Sequence, residues 1–410
     1  MKVTALCSLL SLCLALSAPT AVAASTPTPI ETRLLANDID RGDQFGTAVA
    51  IQGNVAVVGA PGDAPLGVET GSAYVFEKTN SGWQLQQKLN VDESPAFRLF
   101  GAAVAIDGDR IVVGAWGDQN AGNFAGAAYV FVRSGSTWVQ EQKLTGSENS
   151  AGDAFGLSVA IDGDTIVCGA YGNSDFGQSE VGSAYVFRRT QNGWVEQQEL
   201  TASDAAPLMR FALSVAVSGG TIVVGGDGNS ELGFYSGAIY VFTYDGSHWT
   251  EQQKLHAQDA TASASFGYHV AISGDTIVAG APQDTVGTHT LGAAYVFGRH
   301  ANGWSQDRKL VARDSDAFDG FGLRVAVNQD TIVVGHLFDH EAALGGGSAY
   351  VYKLNGQSGW SLYQKLFAFD AARDDMFGCA VAASGNTVLV AACQKSDVAF
   401  SAGAAYVYEF

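Results

Sequence analysis

Two histidines, His336 and His340, have a spacing that can hold a metal ion, and Glu341 follows them directly. On a helix this spacing would place both imidazoles on one face, and a glutamate next to the first histidine would act as a base on zinc-bound water. Here Leu337 occupies that glutamate position, and the pair lies in a loop between two predicted strands. Because loop spacing gives the two rings no common direction, we predict no metal site.

A second group of residues combines polar side chains with aromatic rings, a pairing that suits neutral sugars through stacking and directional hydrogen bonds. The polar members recur three residues after the end of one predicted strand in each repeat, at Asp63, Asp118, Asn173, Asn229, Asp284, Asp339 and Lys395. We predict ligand binding by eight residues of these loops, namely Trp116, Asp118, Tyr171, Asn173, Tyr235, Asp284, Phe338 and Asp339. An Asx turn also accounts for the polar ones.

Acidic residues recur with equal regularity at a second position, four residues after the last leucine of each predicted blade. They are Asp38, Glu93, Glu148, Asp204, Asp259, Asp314 and Asp370. Recurrence in all seven copies favours a structural role over a ligand site. We predict that these carboxylates accept backbone N–H bonds at the junctions between blades.

An internal repeat of 55 or 56 residues sets the elements that position all of these side chains. Its first marker is Phe-Gly, which begins at Phe45, Phe100, Phe155, Phe266, Phe321 and Phe377, with Phe211-Ala212 as a degenerate fourth copy. A second marker keeps constant phase with it, at Tyr74, Tyr129, Tyr185, Tyr240, Tyr295, Tyr350 and Tyr406. The chain therefore contains seven copies of one structural unit.

Each copy predicts four short strands, and in the third copy these are 155–161, 165–170, 182–187 and 194–200. Asp162-Gly163 is typical of a two-residue hairpin between the first two strands. The second strand is apolar throughout, which indicates a sheet covered on both faces. Since helical periodicity is absent, we predict an all-β, seven-bladed β-propeller with four antiparallel strands per blade.

The repeat pattern also predicts how the ring closes. The seventh copy ends at Phe410 without a fourth strand, so another segment must supply that strand. Residues 29–35 contain Leu34, which has the phase of a fourth-strand leucine, and we expect them to supply the outer strand of the last blade. The predicted propeller is residues 29–410. Its blades are about 36–89, 90–144, 145–200, 201–255, 256–310, 311–366, and 367–410 plus 29–35.

Tryptophan recurs in phase in the fourth strands, at Trp83, Trp138, Trp194, Trp249, Trp304 and Trp360, which predicts packing residues. Trp116 lies outside this phase and is the best single candidate for a surface contact. It belongs to the loops between strands two and three, which share one face of the ring with the loops between blades. Variable loops on a rigid frame are where specificity is usually built.

The N-terminal segment predicts export. Lys2, an apolar stretch and Ala21-Val22-Ala23 have the pattern of a cleaved signal peptide over residues 1–23, followed by a short leader over 24–28. We expect a secreted, periplasmic or cell-surface monomer with no transmembrane segment. The formal net charge of −19 argues against nucleic-acid binding. Cys379 and Cys393 fall on neighbouring predicted strands, where a disulfide is one of two open alternatives.

Phe45-Gly46 together with Val-Val-Gly-Ala-Pro over 57–61 resembles the FG-GAP repeat, the unit of the integrin α-subunit propeller. The closest resemblance is to its bacterial exported branch, which has Gly-Trp-x-x-Gln-Gln-Lys-Leu in strand four, as at 82–89 here. The resemblance implies recognition or adhesion. It also implies calcium loops between strands one and two, but here those loops are two-residue turns that are too short to wrap a cation, so we expect no cofactor.

The expected function is that of a non-enzymatic recognition or adhesion module for an extracellular glycan or protein. A secreted carbohydrate-active enzyme, either a glycosidase or a lyase, and a structural envelope scaffold remain alternatives. No catalytic residue can be assigned from the sequence. Arg41-Gly42-Asp43 spells a cell-attachment tripeptide, but Gly-Asp-x-Phe-Gly is the spelling of the repeat itself, and we interpret the match as coincidence.

Overall fold

The chain folds into a ring of seven antiparallel sheets in a computed structural model. The structure describes residues 28–65, 69–91, 98–173, 180–287, 289–314, 319–356 and 359–410. Each sheet has four strands, and the first strands of neighbouring blades contact each other all the way around the ring. The predicted all-β, seven-bladed propeller is confirmed. The predicted signal peptide and most of the leader lie outside the described residues.

The strands follow one plan in every blade, with strand one innermost and strand four at the outer rim. The chain begins with β1 (Ile30–Leu34). Blade one consists of β2 (Ala48–Gln52), β3 (Val55–Ala60), β4 (Ser72–Thr79) and β5 (Gly82–Leu89). Blade two consists of β6 (Ala103–Asp107), β7 (Arg110–Ala115), β8 (Ala127–Ser134) and β9 (Thr137–Leu144). Blade three consists of β10 (Ser158–Asp162), β11 (Thr165–Ala170), β12 (Ser183–Thr190) and β13 (Gly193–Leu200).

Blades four to seven repeat the plan, with one small extra hairpin, β20 and β21, in a loop of blade five. Blade four consists of β14 (Val215–Ser218), β15 (Thr221–Gly226), β16 (Ala238–Tyr244) and β17 (Trp249–Leu255). Blade five consists of β18 (Val270–Ser273), β19 (Thr276–Ala281), β22 (Ala293–His300) and β23 (Gly303–Leu310), with β20 (Thr285–Val286) and β21 (His289–Thr290) as the extra hairpin. Blade six consists of β24 (Phe321–Asn328), β25 (Thr331–His336), β26 (Ser348–Leu354) and β27 (Trp360–Leu366), and blade seven of β28 (Phe377–Ser384), β29 (Thr387–Ala392) and β30 (Ala404–Glu409) together with β1.

Strand β1 closes the ring as predicted. It pairs antiparallel with β30, with Ile30 opposite Glu409 and Leu34 opposite Ala405, so the last sheet has the order β1-β30-β29-β28. Leu34 is buried in the core between the last blade and the first. The chain therefore uses its N-terminal strand to cover an edge that β30 would otherwise expose.

The core consists of apolar layers between neighbouring blades. The second strands β3, β7, β11 and β15 are buried at every position, as expected for sheets covered on both faces. The six phased tryptophans are buried in these layers, which confirms them as packing residues. Burial of this apolar surface is the main stabilising contribution to the ring.

The Phe-Gly marker is a turn in most blades, whereas the sequence predicted that it begins strand one. In blade three, Phe155 forms a single parallel bridge with Gly126 of blade two, and β10 begins only at Ser158. Gly156 has a φ of 83°, which bends the chain between the bridge and the strand. A side chain at Gly156 would also meet the carbonyl oxygen of Ala127 at 2.3 Å, so glycine serves both the turn and the close packing of blades.

Glutamine side chains join the outer strands of neighbouring blades. Gln142 in blade two donates from Nε2 to the carbonyl of Trp194 at 2.7 Å, and its Oε1 accepts from the amide of Trp194 at 2.8 Å. The same two-bond arrangement joins Gln87 to Trp138, Gln198 to Trp249, and Gln253 to Trp304. These bonds join blades one to five in sequence at the outer edge of the ring.

Candidate functional site

The loops between strands two and three meet the loops between blades on one face of the ring, which we call the loop face. Backbone hydrogen bonds connect the two kinds of loop: Gly152 donates to Asn123 at 3.0 Å and Gly42 donates to Phe400 at 2.9 Å. The sequence placed both sets of loops on the same face, and this is confirmed. Among the described residues, the exposed phenylalanines also lie here, at Phe234, Phe338, Phe369 and Phe400.

A network of tyrosine, carboxylate and lysine side chains lies directly beneath the loop face. In blade five the hydroxyl of Tyr295 donates to Asp259 at 2.8 Å and to Asp284 at 3.0 Å. Lys309 then bridges the same two carboxylates at 2.7 and 2.5 Å. Burial of the ring and the two nearby carboxylates raise the pKa of Tyr295, which therefore stays a hydroxyl donor. The network ties the loops to strands three and four.

The network gives the two recurring acidic positions their partners. Asp38, Asp204, Asp314 and Asp370 each accept a tyrosine hydroxyl, as Asp259 does. The sequence predicts backbone N–H donors between blades, and that partner is wrong for these residues. Each carboxylate instead accepts from the tyrosine of strand three and pairs with a cation of strand four, which is a lysine in four blades and Arg33 at Asp370. The structural role itself follows from the network.

Four of the predicted ligand-binding residues belong to this network, and their side chains are buried beneath the loops. They are Asp118, Asn173, Asp284 and Asp339. The carboxylate of Asp118 accepts from the hydroxyl of Tyr129 at 2.9 Å. The carboxylate of Asp339 accepts from the hydroxyl of Ser348 at 2.6 Å and lies 2.6 Å from Nζ of Lys365. The structure therefore places these polar groups against the protein itself, and their ligand binding stays a prediction.

Lys395, which departs from the acidic residues at its repeat position, is explained by an exchange of charges. In blade seven its Nζ lies 2.9 Å from Asp375. In blade two the positions are reversed, since Arg98 occupies the place of Asp375 and pairs with Asp118 at 3.4 Å. Both blades thus keep a buried ion pair between the same two backbone positions.

The predicted aromatic residues are spread over several blades, and the structure does not bring them together. Tyr171 is half-buried in blade three, and Phe338 is exposed in blade six. Tyr235 in blade four packs against Phe234, with ring centroids 4.5 Å apart, and the Arg210 guanidinium lies 5.1 Å from its ring. Ligand binding by these residues also stays a prediction. Phe176, a further loop aromatic, lies outside the described residues.

Trp116 has a different position, because it lines the cavity at the centre of the ring. It is half-buried and stacks on Phe124, with ring centroids 5.5 Å apart and an angle of 25° between the planes. The cavity has a volume of about 500 Å³, which is in the range of small-molecule sites. Gln44, Pro61 and Leu99 lie beside Trp116 at its loop-face end. We call this cavity the channel.

The walls of the channel come from the beginnings of strand one, and one side differs from the other. The third residue after each phenylalanine of the Phe-Gly marker faces the channel or lies at its wall. In blades seven, one and two this residue is Ala380, Ala48 or Ala103, whereas in blades three to six it is Ser158, Ser214, His269 or Arg324. The channel therefore has an alanine side and a polar side, and the sevenfold symmetry of the ring is broken there.

The polar side is held in place by contacts between blades. Nδ1 of His269 accepts a hydrogen bond from the amide of Val325 in blade six at 3.4 Å, and Oγ of Ser214 accepts from the amide of Val270 at 3.0 Å. Because a backbone N–H can only donate, the neutral imidazole of His269 carries its proton on Nε2. Burial and the nearby Arg324 guanidinium lower the pKa of His269 to about 3, so the ring is neutral at pH 7.

Arg324 and Tyr268 complete this side of the channel. The guanidinium of Arg324 lies 5.8 Å from the centre of the Tyr268 ring, and its Nη1 donates to the carbonyl of Leu323 at 3.1 Å. Among the described residues, the side chains lining the channel include no carboxylate. Sequence reasoning missed Tyr268, His269 and Arg324, although aligning the repeats at the Phe-Gly marker would have shown them as departures from alanine, serine and leucine.

A second charged group occupies the loop face in blade four. Asp227 stands at the repeat position of Trp116 and is buried, with Oδ2 2.5 Å from Nη2 of Arg210. Burial raises the pKa of Asp227 to about 6, although the charge of Arg210 acts in the opposite direction. The pair packs beside Tyr235 through Arg210.

The two histidines with metal-like spacing have separate partners. Nδ1 of His336 lies 3.1 Å from Asp339 in the buried network, and Nδ1 of His340 accepts from the amide of Gly345 at 2.8 Å. Within the ranges that the structure describes, no group of three or more histidine, cysteine or carboxylate side chains could hold a metal ion. Asp107 lies at the turn between strands one and two of blade two, where related repeats have a calcium loop. Its carboxylate accepts from Nε2 of Gln52 at 2.6 Å and from the amide of Gly163 at 2.7 Å.

The aspartate of the Arg-Gly-Asp tripeptide is not displayed to solvent, although Arg41 is exposed. Asp43 is buried, and its carboxylate accepts from the amide of Asp40 at 2.6 Å. Arg41 lies over the ring of Phe400 at 5.5 Å. These contacts agree with the interpretation of the tripeptide as part of the repeat.

The three cysteines of the propeller divide into two kinds. Cys168 is free and fully buried in an apolar layer, which raises the pKa of its thiol. Cys379 in β28 and Cys393 just after β29 are paired as a disulfide, with Cα atoms 6.2 Å apart. The separation of the two Cα atoms agrees with the disulfide alternative that the sequence leaves open.

These features define a class of protein, a closed seven-bladed β-propeller with a variable loop face and a central channel. The FG-GAP repeat family matches the chain seven times, over residues 30–76, 83–131, 138–187, 194–242, 249–297, 304–352 and 360–408. The chain therefore belongs to the FG-GAP repeat family, as the resemblance in its sequence implied.

The other comparisons are less informative. A search of curated proteins found no match. Among solved structures, the crystal structure of Saccharomyces cerevisiae Sqt1 is similar, with a TM-score of 0.48, 10% sequence identity, and coverage of 94% of this chain and 98% of that one. In the described part of the chain, no helix is long and apolar enough to cross a membrane.

Proposed function

We propose that this protein is a non-enzymatic recognition module, acting outside the cytoplasm, that binds its ligand where the loop face meets the channel. The observation that supports this proposal most is the broken symmetry of the channel. Three consecutive blades have alanine at this position, yet the other four have serine, histidine or arginine side chains. Sites in symmetric rings are distinguished by such departures.

The surroundings of the channel support a binding role. Trp116 and Phe124 form a stacked aromatic pair at its loop-face end, where aromatic rings provide contact area with few rotatable bonds. Phe234 and Phe400 are 69% and 67% exposed on the same face. Aromatic residues are enriched at protein interfaces relative to the rest of the surface. The proposed ligand is an extracellular glycan or protein segment.

The proposal is tested with a glycan array and a panel of extracellular proteins, probed with the mature chain. We expect a ligand whose binding falls at least tenfold in Trp116→Ala. The control is Val195→Ala, which changes an exposed residue on the outer strand β13, far from the loop face, and should leave binding unchanged.

The outcomes separate the alternatives. Equal binding by both variants would contradict the placement of the site at the channel. A bound glycan that is cleaved over time would contradict the non-enzymatic part of the proposal and favour the carbohydrate-active enzyme. Absence of any ligand would favour the scaffold.

A further inference from the structure

The polar side of the channel has the properties of an anion site. Arg324 supplies a guanidinium whose described contacts are a tyrosine ring and a backbone carbonyl, neither of which neutralises its charge. His269, one blade earlier, adds an Nε2–H donor, since its Nδ1 is occupied by the amide of Val325. Both residues line the same cavity. A guanidinium and an N–H donor together fit the two oxygens of a carboxylate.

The opposite wall determines what else the ligand carries. Ala48, Ala103 and Ala380 face the polar side, and valines such as Val104 and Val381 continue the wall deeper into the channel. Thr47 and Gln44 also line the channel on this side, but the hydroxyl of Thr47 already donates to the carbonyl of Gln44, and the rest of this wall favours aliphatic contact. The channel thus combines one charged end with an apolar body.

We propose that the channel binds a carboxylate carried on a small apolar group, with Arg324 and His269 holding the carboxylate. This inference rests on the proposed function and, of its two ligands, favours the protein segment, which can present a terminal carboxylate beside an apolar side chain, over the glycan. The cavity volume of about 500 Å³ admits a molecule of this kind from the loop face past Trp116. The excess of acidic over basic residues, 41 against 22, makes a cationic position inside the ring the selective element for an anion.

The direct test uses hexanoate and its uncharged analogue hexanamide, titrated into the mature protein by calorimetry at pH 7. The fluorescence of Trp116 provides a second signal, because the six other tryptophans are buried in the outer strands. We expect hexanoate to bind at least tenfold more tightly than hexanamide, since only the carboxylate can pair with the guanidinium. Equal affinities, or no binding of hexanoate, would overturn the proposal without requiring any variant.

Variants locate the binding. Arg324→Gln should weaken hexanoate binding at least tenfold, and Trp116→Phe should abolish the fluorescence change while calorimetric binding remains. The matched control is Arg373→Gln, which removes the same charge from an exposed position on the loop face where Arg373 pairs with Asp374. Equal loss in both arginine variants would show that net charge alone attracts the anion, and this too would overturn the proposal.

A second arm distinguishes the source of the carboxylate. Glucuronate carries the same group on a polar body, so we expect it to bind at least tenfold more weakly than hexanoate. Tighter binding of glucuronate would contradict the apolar part of the proposal. If neither acid binds but a neutral ligand from the array depends on Trp116, the carboxylate proposal fails while the proposed function stands.

Discussion

Replacing Gln142 by alanine removes the side-chain contact that joins the outer edges of blades two and three. The lost bonds are the donation from Nε2 to the carbonyl of Trp194 at 2.7 Å and the acceptance by Oε1 from its amide at 2.8 Å. Each such bond contributes about 1 kcal/mol net. The variant also leaves backbone groups of an outermost strand without a partner, so we expect the free energy of unfolding to fall by about 2 kcal/mol.

The chain contains a matched control in Gln364. Gln364 lies in β27 opposite Val351, in the same register that places Gln142 opposite Val130 in β9. Its Oε1 is buried but has no hydrogen-bond partner in the part of the chain that the structure describes. Gln364→Ala removes a side chain of equal size without breaking a bond at that oxygen, and we expect a loss within about 0.5 kcal/mol.

Urea unfolding followed by fluorescence measures both variants, and hydrogen exchange supplies a local reading. A seven-bladed ring need not unfold in one step, so exchange at the amide of Trp194 is the sharper assay. We expect that amide to exchange faster in Gln142→Ala and at the wild-type rate in Gln364→Ala. Equal destabilisation of the two variants, or unchanged exchange at Trp194, would refute the reasoning.

Three further predictions concern the network, the blade contacts and the closure. Burial raises the pKa of Asp259, but the hydrogen bonds from Lys309 and Tyr295 outweigh it and lower that pKa below its usual value. This stabilisation is present above about pH 4 and is lost as the pH falls through the lowered value, so Asp259→Asn should reduce the urea midpoint at pH 7 by an amount that shrinks as the pH is lowered below about 4. Gly114→Ala should lower the urea midpoint strongly, since the added Cβ would lie 1.9 Å from the carbonyl oxygen of Gly156. The control Gly220→Ala should leave the urea midpoint unchanged, because the added Cβ would lie 3.9 Å from its nearest neighbour, Cβ of Tyr244. Deleting residues 30–34 should cause self-association through the uncovered edge of β30, measured by light scattering, and a monomer of native stability would contradict the closing role of β1.

The fold could be predicted because its signals are local and repeated. The Phe-Gly marker, the two-residue turns and the apolar second strand each occur within one blade, and their constant phase fixes the number of blades. The closing strand followed from the phase of Leu34 alone. The start of strand one was misplaced because the sequence cannot show that Gly156 adopts a positive φ and separates the bridge at Phe155 from β10.

The site was only partly predictable, because its contacts join residues that are far apart in the sequence. Asp259 meets Tyr295 and Lys309, which are 36 and 50 positions away, so the recurring acidic positions looked like turn residues or ligand contacts. Trp116 was found because it departs from the phase of the other tryptophans. His269 and Arg324 depart from their repeat position in the same way, but nothing in the sequence shows that this position of strand one lines a cavity.

The alanines of the channel make the strongest case that its polar side serves something other than the fold. Ala48, Ala103 and Ala380 show that a methyl group is sufficient for ring closure at this position in three consecutive blades. A guanidinium at the equivalent position loses part of its hydration when the ring closes, and the channel lining that the structure describes contains no carboxylate to compensate. Packing alone therefore does not account for Arg324, and an anion entering from the loop face would supply the interaction that the protein does not.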